Sequence, residues 1–382
     1  MNTGDYAVII AILIYFMVVL IIGFSYARRA NKSSSEYFLG GRKVGPWFTA
    51  LSAEASDMSG YLLMGLPGLA YFTGAADAGW TCIGLALGTY FNWLLVAKRL
   101  RRYSEKANDS ITLPGFYSNR FHDTKNVVST VAAVIILIFF CVYTGSCFVT
   151  CGKLFNTLFG MDYTVMMIFG AIIVFLYTMV GGYLSVVATD FVQGCLMFFA
   201  LAVVVIGSIA MAGGVENTAA FLSDIPGYLS MVQTATPEID ADGVQYMIGG
   251  APIFGIPAEY GLLTIISTLS WGLGYFGMPQ VLVRFMGIRN DSEIKTSRRI
   301  AIVWVVVSMF CAIMIGIIGR YLFPAQYLTQ SGAESIFIFL SQVMLPGFLC
   351  GLVVSGILAA SMSSASSISR TSTVRSTSPM GA

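Results

Sequence analysis

Apolar residues in this chain run in stretches of about membrane length, broken by short polar connections. The stretches fall at 6 to 27, 46 to 72, 78 to 97, 127 to 152, 163 to 181, 188 to 213, 260 to 285, 300 to 322 and 347 to 366. A helix rises about 1.5 Å per residue, so each can cross the ~30 Å hydrocarbon core. The pattern predicts nine spanning helices rather than a barrel. The first stretch is long and ends at Arg28 and Arg29, which predicts a retained span rather than a signal segment.

Two stretches break the pattern. "SAEASDMSGYLLMGLPG" (52 to 68) places Asp57 in an apolar run and follows it with Ser59, Gly60, Gly65 and Pro67. "GLGYFG" (272 to 277) carries Gly272, Gly274 and Gly277, with Pro279 just beyond. The second matches a GxGxxG spacing, but its flanks belong to one span and no strand precedes it, so a dinucleotide-binding loop is excluded. Poor helix formers at mid-membrane depth predict interrupted helices. Close packing through small residues is the alternative for the glycines alone. A pair of interrupted spans in corresponding halves of a chain instead points to a transport site.

An interruption frees backbone carbonyls for a cation and exposes half-helix N-termini that suit a carboxylate. A zwitterion beside a sodium ion would use both. Hydroxyl and carbonyl oxygens suit an alkali cation, and no nitrogen or sulfur cluster points to a transition metal. Asp57 is either an acid paired with a distant base or one that serves a coupling ion. An ionisable group in a span is functional by default, and the basic residues are all assigned to connections. Glu54 lies one turn earlier on nearly the same face, where it is either solvated at the inner interface or functional. Tyr143, Trp271 and Tyr275 lie inside spans, where packing or a solute cavity would occupy them. Asp190 opens the sixth span near the inner surface, in a position for helix capping or gating.

Composition supports the membrane reading: 57% of the residues are hydrophobic and only 10% charged, against roughly 25% charged in soluble domains. With the N-terminus outside, only Lys153 and Arg320 of the 21 lysines and arginines fall on the outer side. The outer connection from 214 to 259 carries Glu216, Asp224, Glu238, Asp240, Asp242 and Glu259 without a base. The net charge of +2 is therefore a matter of topology, not a sign of nucleic-acid binding. The seven cysteines form no CxxC pair and predict small core residues, with neither a disulfide framework nor a zinc site. His122 lies in a polar loop and receives no role. Near 361 the chain changes to a Ser/Thr/Arg tract, giving an expected layout of one transmembrane domain over 1 to 366 and a disordered tail over 367 to 382.

The segments "LGGRKVGPWFTALSAEASDMSGYLLMGLPG", "LPGFYSNRF", "GGYLSVVATDFVQG", "WGLGYFGMPQVLVRFM" and "GILAASMSS" together resemble the sodium/solute symporter family over about residues 6 to 366. The resemblance implies an all-α, leucine-transporter-type inverted-repeat fold with one extra N-terminal helix. Repeat one would cover about 46 to 213 and a partial repeat two about 260 to 366, with about four further helices expected in a family member. It implies a sodium site made by carbonyls of Ala55, Met58 and Ala360 and hydroxyls of Ser363 and Ser364, with Asp57 in support. It implies a solute site at Ser59, Gly60, Tyr143, Trp271, Tyr275 and Pro279, and coupling or gating roles for Arg42 and Asp190. Tyr61 stands where relatives usually carry Trp, and Ser364 where Thr is common.

The implied function is sodium-coupled import of L-proline by alternating access, in the inner membrane of a bacterium. It involves no enzymatic step, no cofactor and no metal beyond sodium. Three alternatives remain: symport of another small solute, an inactive fragment, and a membrane sensor domain.

Overall fold

The first apolar stretch forms α1 (Thr3–Ser25) in a computed structural model that describes residues 3–371. A short helix, Ser34–Leu39, capped by the Ser33 side chain, leads into the second span. That span is broken as expected. α2 (Pro46–Met58) begins with proline at a position whose fixed φ suits a helix start. It ends at Ser59, whose φ of +47° no helix tolerates. One π turn (Tyr61–Gly65) follows, and α3 (Leu66–Thr73) completes the crossing.

The third span is α4 (Ala75–Asn92), continued through a π turn at Trp93–Ala97 into the basic helix Lys98–Lys106. α5 (Val127–Phe159) is one continuous helix. α6 (Tyr163–Met211) holds two predicted spans without a loop between them. Its 49 residues would measure roughly 74 Å if straight, far beyond one bilayer crossing. The turn falls at Gly182, where φ is +69° and the backbone is not helical.

The outer connection carries two short antiparallel pairs, Gln233–Thr234 with Ala258–Glu259 and Met247–Ile248 with Ala251–Pro252. The second broken span follows as α7 (Leu262–Ser270), a 3₁₀ segment over Trp271–Phe276, and α8 (Pro279–Gly287). α9 (Ile294–Leu322), the short α10 (Ile336–Met344) and α11 (Gly347–Thr371) complete the described chain. Six helices among the described residues are long and apolar enough to cross a membrane. The nine predicted stretches reduce to six because α6 carries two and the two broken spans are each interrupted.

α11 is the centre of the bundle, touched by α1, α2, α5 and α6, with 83% of its apolar window buried against 11% for α5. It runs helical through Thr371, and residues 372 to 382 of the expected Ser/Thr-rich tail lie outside the described residues.

The assignment of every basic residue to a connection needs correction. Arg284, on α8, is 1% exposed, and Arg320, in the last turn of α9, is fully buried. Arg320 lies 5.0 Å from the centre of the Tyr71 ring and 4.9 Å from that of Phe254, and its Nη2 donates to Gln245 Oε1 at 2.8 Å. Each sits where a span predicted from hydropathy ends, so the window averaged its charge away.

Where spans touch, small residues let backbones approach closely, as membrane helices require. Gly316 on α9 faces α3, and a Cβ there would stand 2.2 Å from the Pro67 carbonyl oxygen. Replacing Gly316 with Leu is expected to cost at least about 2 kcal/mol by overpacking. The cost should appear as a lowered unfolding midpoint in detergent; an unchanged midpoint would contradict this packing.

Candidate functional site

The break between α2 and α3 leaves the last turn of α2 without helical continuation, and α11 supplies part of what is missing. Ser363 Oγ donates to the Ala55 carbonyl oxygen at 2.5 Å and lies 3.2 Å from the Ala360 carbonyl oxygen. Three of the sequence-predicted cation ligands therefore meet at one hydroxyl. Ser364, next along α11, is buried, and its Oγ has no hydrogen-bond partner among the described residues. Asp57 is 8% exposed, with Oδ1 buried and unpartnered. It joins no ion pair among the described residues.

Tyr143 reaches across from α5, its hydroxyl donating to the Asp57 carbonyl oxygen at 3.1 Å, with the Ser59 and Ser364 hydroxyls beside it. The Tyr275 hydroxyl lies beside the Asp57 carboxylate. The donor set is all oxygen, and two of its buried atoms, Asp57 Oδ1 and Ser364 Oγ, have no hydrogen-bond partner among the described residues. Such groups are costly unless something binds them. A bare alkali cation fits this set in charge and in hardness.

Above this point opens a cavity of about 430 Å³. Its wall includes Asp57, Met58, Ser59, Gly60, Tyr143, Trp271 and Tyr275. The Trp271 ring lies 5.2 Å from that of Tyr61, and both residues line the cavity. Pro279 is not on this wall; it is buried at the first position of α8. At the rim, Lys153 Nζ is 2.6 Å from Glu334 Oε2 and donates to the Ser331 carbonyl oxygen at 2.6 Å. Sequence reasoning missed this pair, because nothing in either segment's pattern joins positions 181 residues apart.

Away from the cavity wall lies a buried polar cluster. Arg284 Nη2 lies 2.9 Å from Asp190 Oδ2 and donates to Ser367 Oγ at 2.5 Å. Arg284 Nε donates to Ser52 Oγ at 2.8 Å, and Ser52 Oγ donates to Asp190 Oδ2 at 2.6 Å. One ion pair thus ties α2, α6, α8 and α11 together. Asp190 is fully buried, two turns past the Gly182 bend, so the helix-capping reading near the inner surface does not hold.

A second clamp lies outside the first. Arg42, in the left-handed region at φ +52°, reaches Asp109 at 2.8 Å, the Met286 carbonyl oxygen at 2.7 Å and the Ser110 carbonyl oxygen at 3.0 Å. Burial pulls its pKa below the ordinary guanidinium value, and Asp109 acts in the opposite direction. Glu54 is also not solvated: it is 3% exposed, and its Oε1 accepts from Trp93 Nε1 at 3.0 Å.

Residues 37–377 match the profile of the sodium:solute symporter family, and the chain belongs to that family. It is 41% identical over 358 residues to the sodium/proline symporters of Staphylococcus aureus strains JH9 and NCTC 8325 / PS 47. The alignments cover 94% of this chain and 65% of each relative, so the chain spans just under two thirds of the length of the curated relatives it matches. A solved structure of a Na+-coupled sialic acid symporter, in a substrate-bound outward-open state, superposes with a TM-score of 0.76 at 19% identity. It covers 96% of this chain and 72% of that one. The fold is the leucine-transporter type, in a multi-pass membrane protein.

Removing one member of the buried pair leaves the other charge unpaired in a low-dielectric interior. Asp190→Ala is expected to destabilise the protein by about 3–5 kcal/mol. Asp190→Ala with Arg284→Met should recover most of that loss in thermal unfolding. Equal midpoints for wild type and the single variant would show that the pair carries no such burden.

Proposed function

We propose that the chain mediates sodium-coupled symport of L-proline into the cell by alternating access. The observation that carries this reading is the meeting of the Ala55 and Ala360 carbonyls at Ser363, beside the orphaned Asp57 Oδ1 and Ser364 Oγ. The solute cavity opens directly above it. The 41% identical sodium/proline symporters support both the ion and the solute.

Sodium is held by the carbonyls of Ala55, Met58 and Ala360 and the hydroxyls of Ser363 and Ser364, with Asp57 balancing its charge. Proline lies against Ser59, Gly60, Tyr143, Trp271 and Tyr275, and Pro279 fixes the start of α8 behind them. The ion straightens the end of α2 against α11, which sets the floor on which the solute rests. Opening inward separates α8 from α2 and α6, so the Asp190–Arg284 pair and the Arg42 clamp must release. Arg42 and Asp190, the latter through its pair with Arg284, therefore act in coupling and gating.

A membrane potential contributes about 2.3 kcal/mol per charge per 100 mV, enough to concentrate a neutral zwitterion substantially. The solute leaves chemically unchanged, so the protein is a carrier rather than an enzyme. The transport unit expected over 1 to 366 also takes in Ser367, which joins the Asp190–Arg284 cluster, with repeat one over 46 to 213 and repeat two begun from 260. The distribution of Lys and Arg supports an outside N-terminus in a bacterial inner membrane.

Binding and uptake of labelled proline by the purified chain in vesicles test this reading. Proline should be retained with sodium and not with choline, and Ser363→Ala should raise the half-saturating sodium concentration about tenfold, the equivalent of one lost hydrogen bond to a charge. Sodium-independent retention, or preference for a different small solute, would overturn the ion or the solute assignment respectively.

A further inference from the structure

Along α4, Gly84, Gly88 and Asn92 are spaced four apart and lie in one stripe. The stripe faces the second interrupted span. A Cβ on Gly84 would stand 2.8 Å from Leu269 Cα, and one on Gly88 would stand 2.2 Å from the Gly272 carbonyl oxygen. One turn further, Asn92 Nδ2 donates to the Tyr275 carbonyl oxygen at 2.9 Å.

Trp93 is the next residue, turned about 100° around the helix axis, and it touches both interrupted spans, its N–H the first and its ring the α8 half of the second. Its Nε1 bonds Glu54 on α2, and its ring centre lies 4.5 Å from that of Phe285 on α8. A π turn begins at Trp93, a feature that collects at functional sites. Asn92 and Trp93 are each 1% exposed, so water does not compete for these bonds.

We propose that α4 is a strut between the two interrupted spans, and that Asn92 and Trp93 are positioning residues carrying cation occupancy from α2 to the solute-facing wall at 271 to 276. The inference rests on the ion site proposed at Ala55. Glu54 precedes Ala55, so a shift of the Ala55 carbonyl toward an ion moves the acceptor that Trp93 holds. Asn92 shares the backbone of Trp93 and holds a carbonyl of the 3₁₀ segment, so the displacement reaches Tyr275. The close contacts at Gly84 and Gly88 leave no slack to absorb it.

Hydrogen–deuterium exchange on the full purified chain in lipid nanodiscs tests the strut, first in choline and then in sodium. Trp93→Phe keeps the ring and loses the N–H. In choline it should speed exchange about fivefold over 50 to 58 and also over 271 to 278, within the usual range of coupling between sites. Asn92→Ala should do the same in reverse. Glu54→Gln keeps the acceptor and should exchange like wild type, whereas Glu54→Leu should behave like Trp93→Phe.

If each substitution loosens only its own partner segment, the strut is overturned. In sodium, wild type should slow over both segments and Trp93→Phe over 50 to 58 alone; a wild-type-like response of both segments in that variant also overturns it. If sodium alters exchange nowhere in wild type, the ion reading fails, and the choline comparison still decides the strut.

Discussion

A peptide group without a partner in hydrocarbon costs several kcal/mol, and two spans of this bundle give up helical bonding at mid-depth. The rest of the structure is arranged around keeping those two breaks open. Ser363 on α11 attends to the Ala55 carbonyl at the first break, and Asn92 on α4 attends to the Tyr275 carbonyl at the second. α11 is therefore central and nearly all buried, and α4 approaches so closely that glycine is required at 84 and 88. One oxygen of the Asp57 carboxylate has no partner among the described residues, and that unmet bonding makes the first break a cation site on the proposed reading.

Charge is paired in two places with different degrees of exposure, one on the cavity wall and one away from it. At the rim, Lys153 and Glu334 are partly solvated, so their pair is cheap to break. Away from the wall, Asp190 and Arg284 are almost wholly buried and share Ser52 and Ser367. Such a pair adds little net stability against an apolar alternative but penalises any arrangement that separates its members. On the proposed reading, any inward opening needs the α2, α6, α8 and α11 contacts to release together.

The parts of this design that follow from local chemistry were legible in the sequence. Ser59, Gly60, Gly65 and Pro67 after Asp57, and the glycines of "GLGYFG", mark the breaks through helix propensity, and the in-span aromatics Tyr143, Trp271 and Tyr275 do reach the cavity. Family resemblance placed Ala55, Ala360 and Ser363 in one site, and they do meet at one hydroxyl. The rest depends on partners far apart in the chain. Asp190 meets Arg284 across 94 residues, and Glu54 meets Trp93 across 39. Hydropathy averaging hid Arg284 and Arg320 because each lies at the edge of an apolar window, where charge reads as the start of a connection. Pro279 was legible as a helix breaker, but its place behind the wall rather than on it depends on how α8 packs.

On the proposed reading, the first break binds a bare alkali cation without help from the solute. Equilibrium binding of radioactive sodium to the purified protein, with no proline present, tests it most directly. Binding should be saturable, displaced by unlabelled sodium, and weakened in Asp57→Asn, which removes the carboxylate charge, and in Ser364→Ala, which removes an oxygen unpartnered among the described residues. Saturable binding of equal affinity in those variants, or no saturable binding in the wild-type protein, would contradict it.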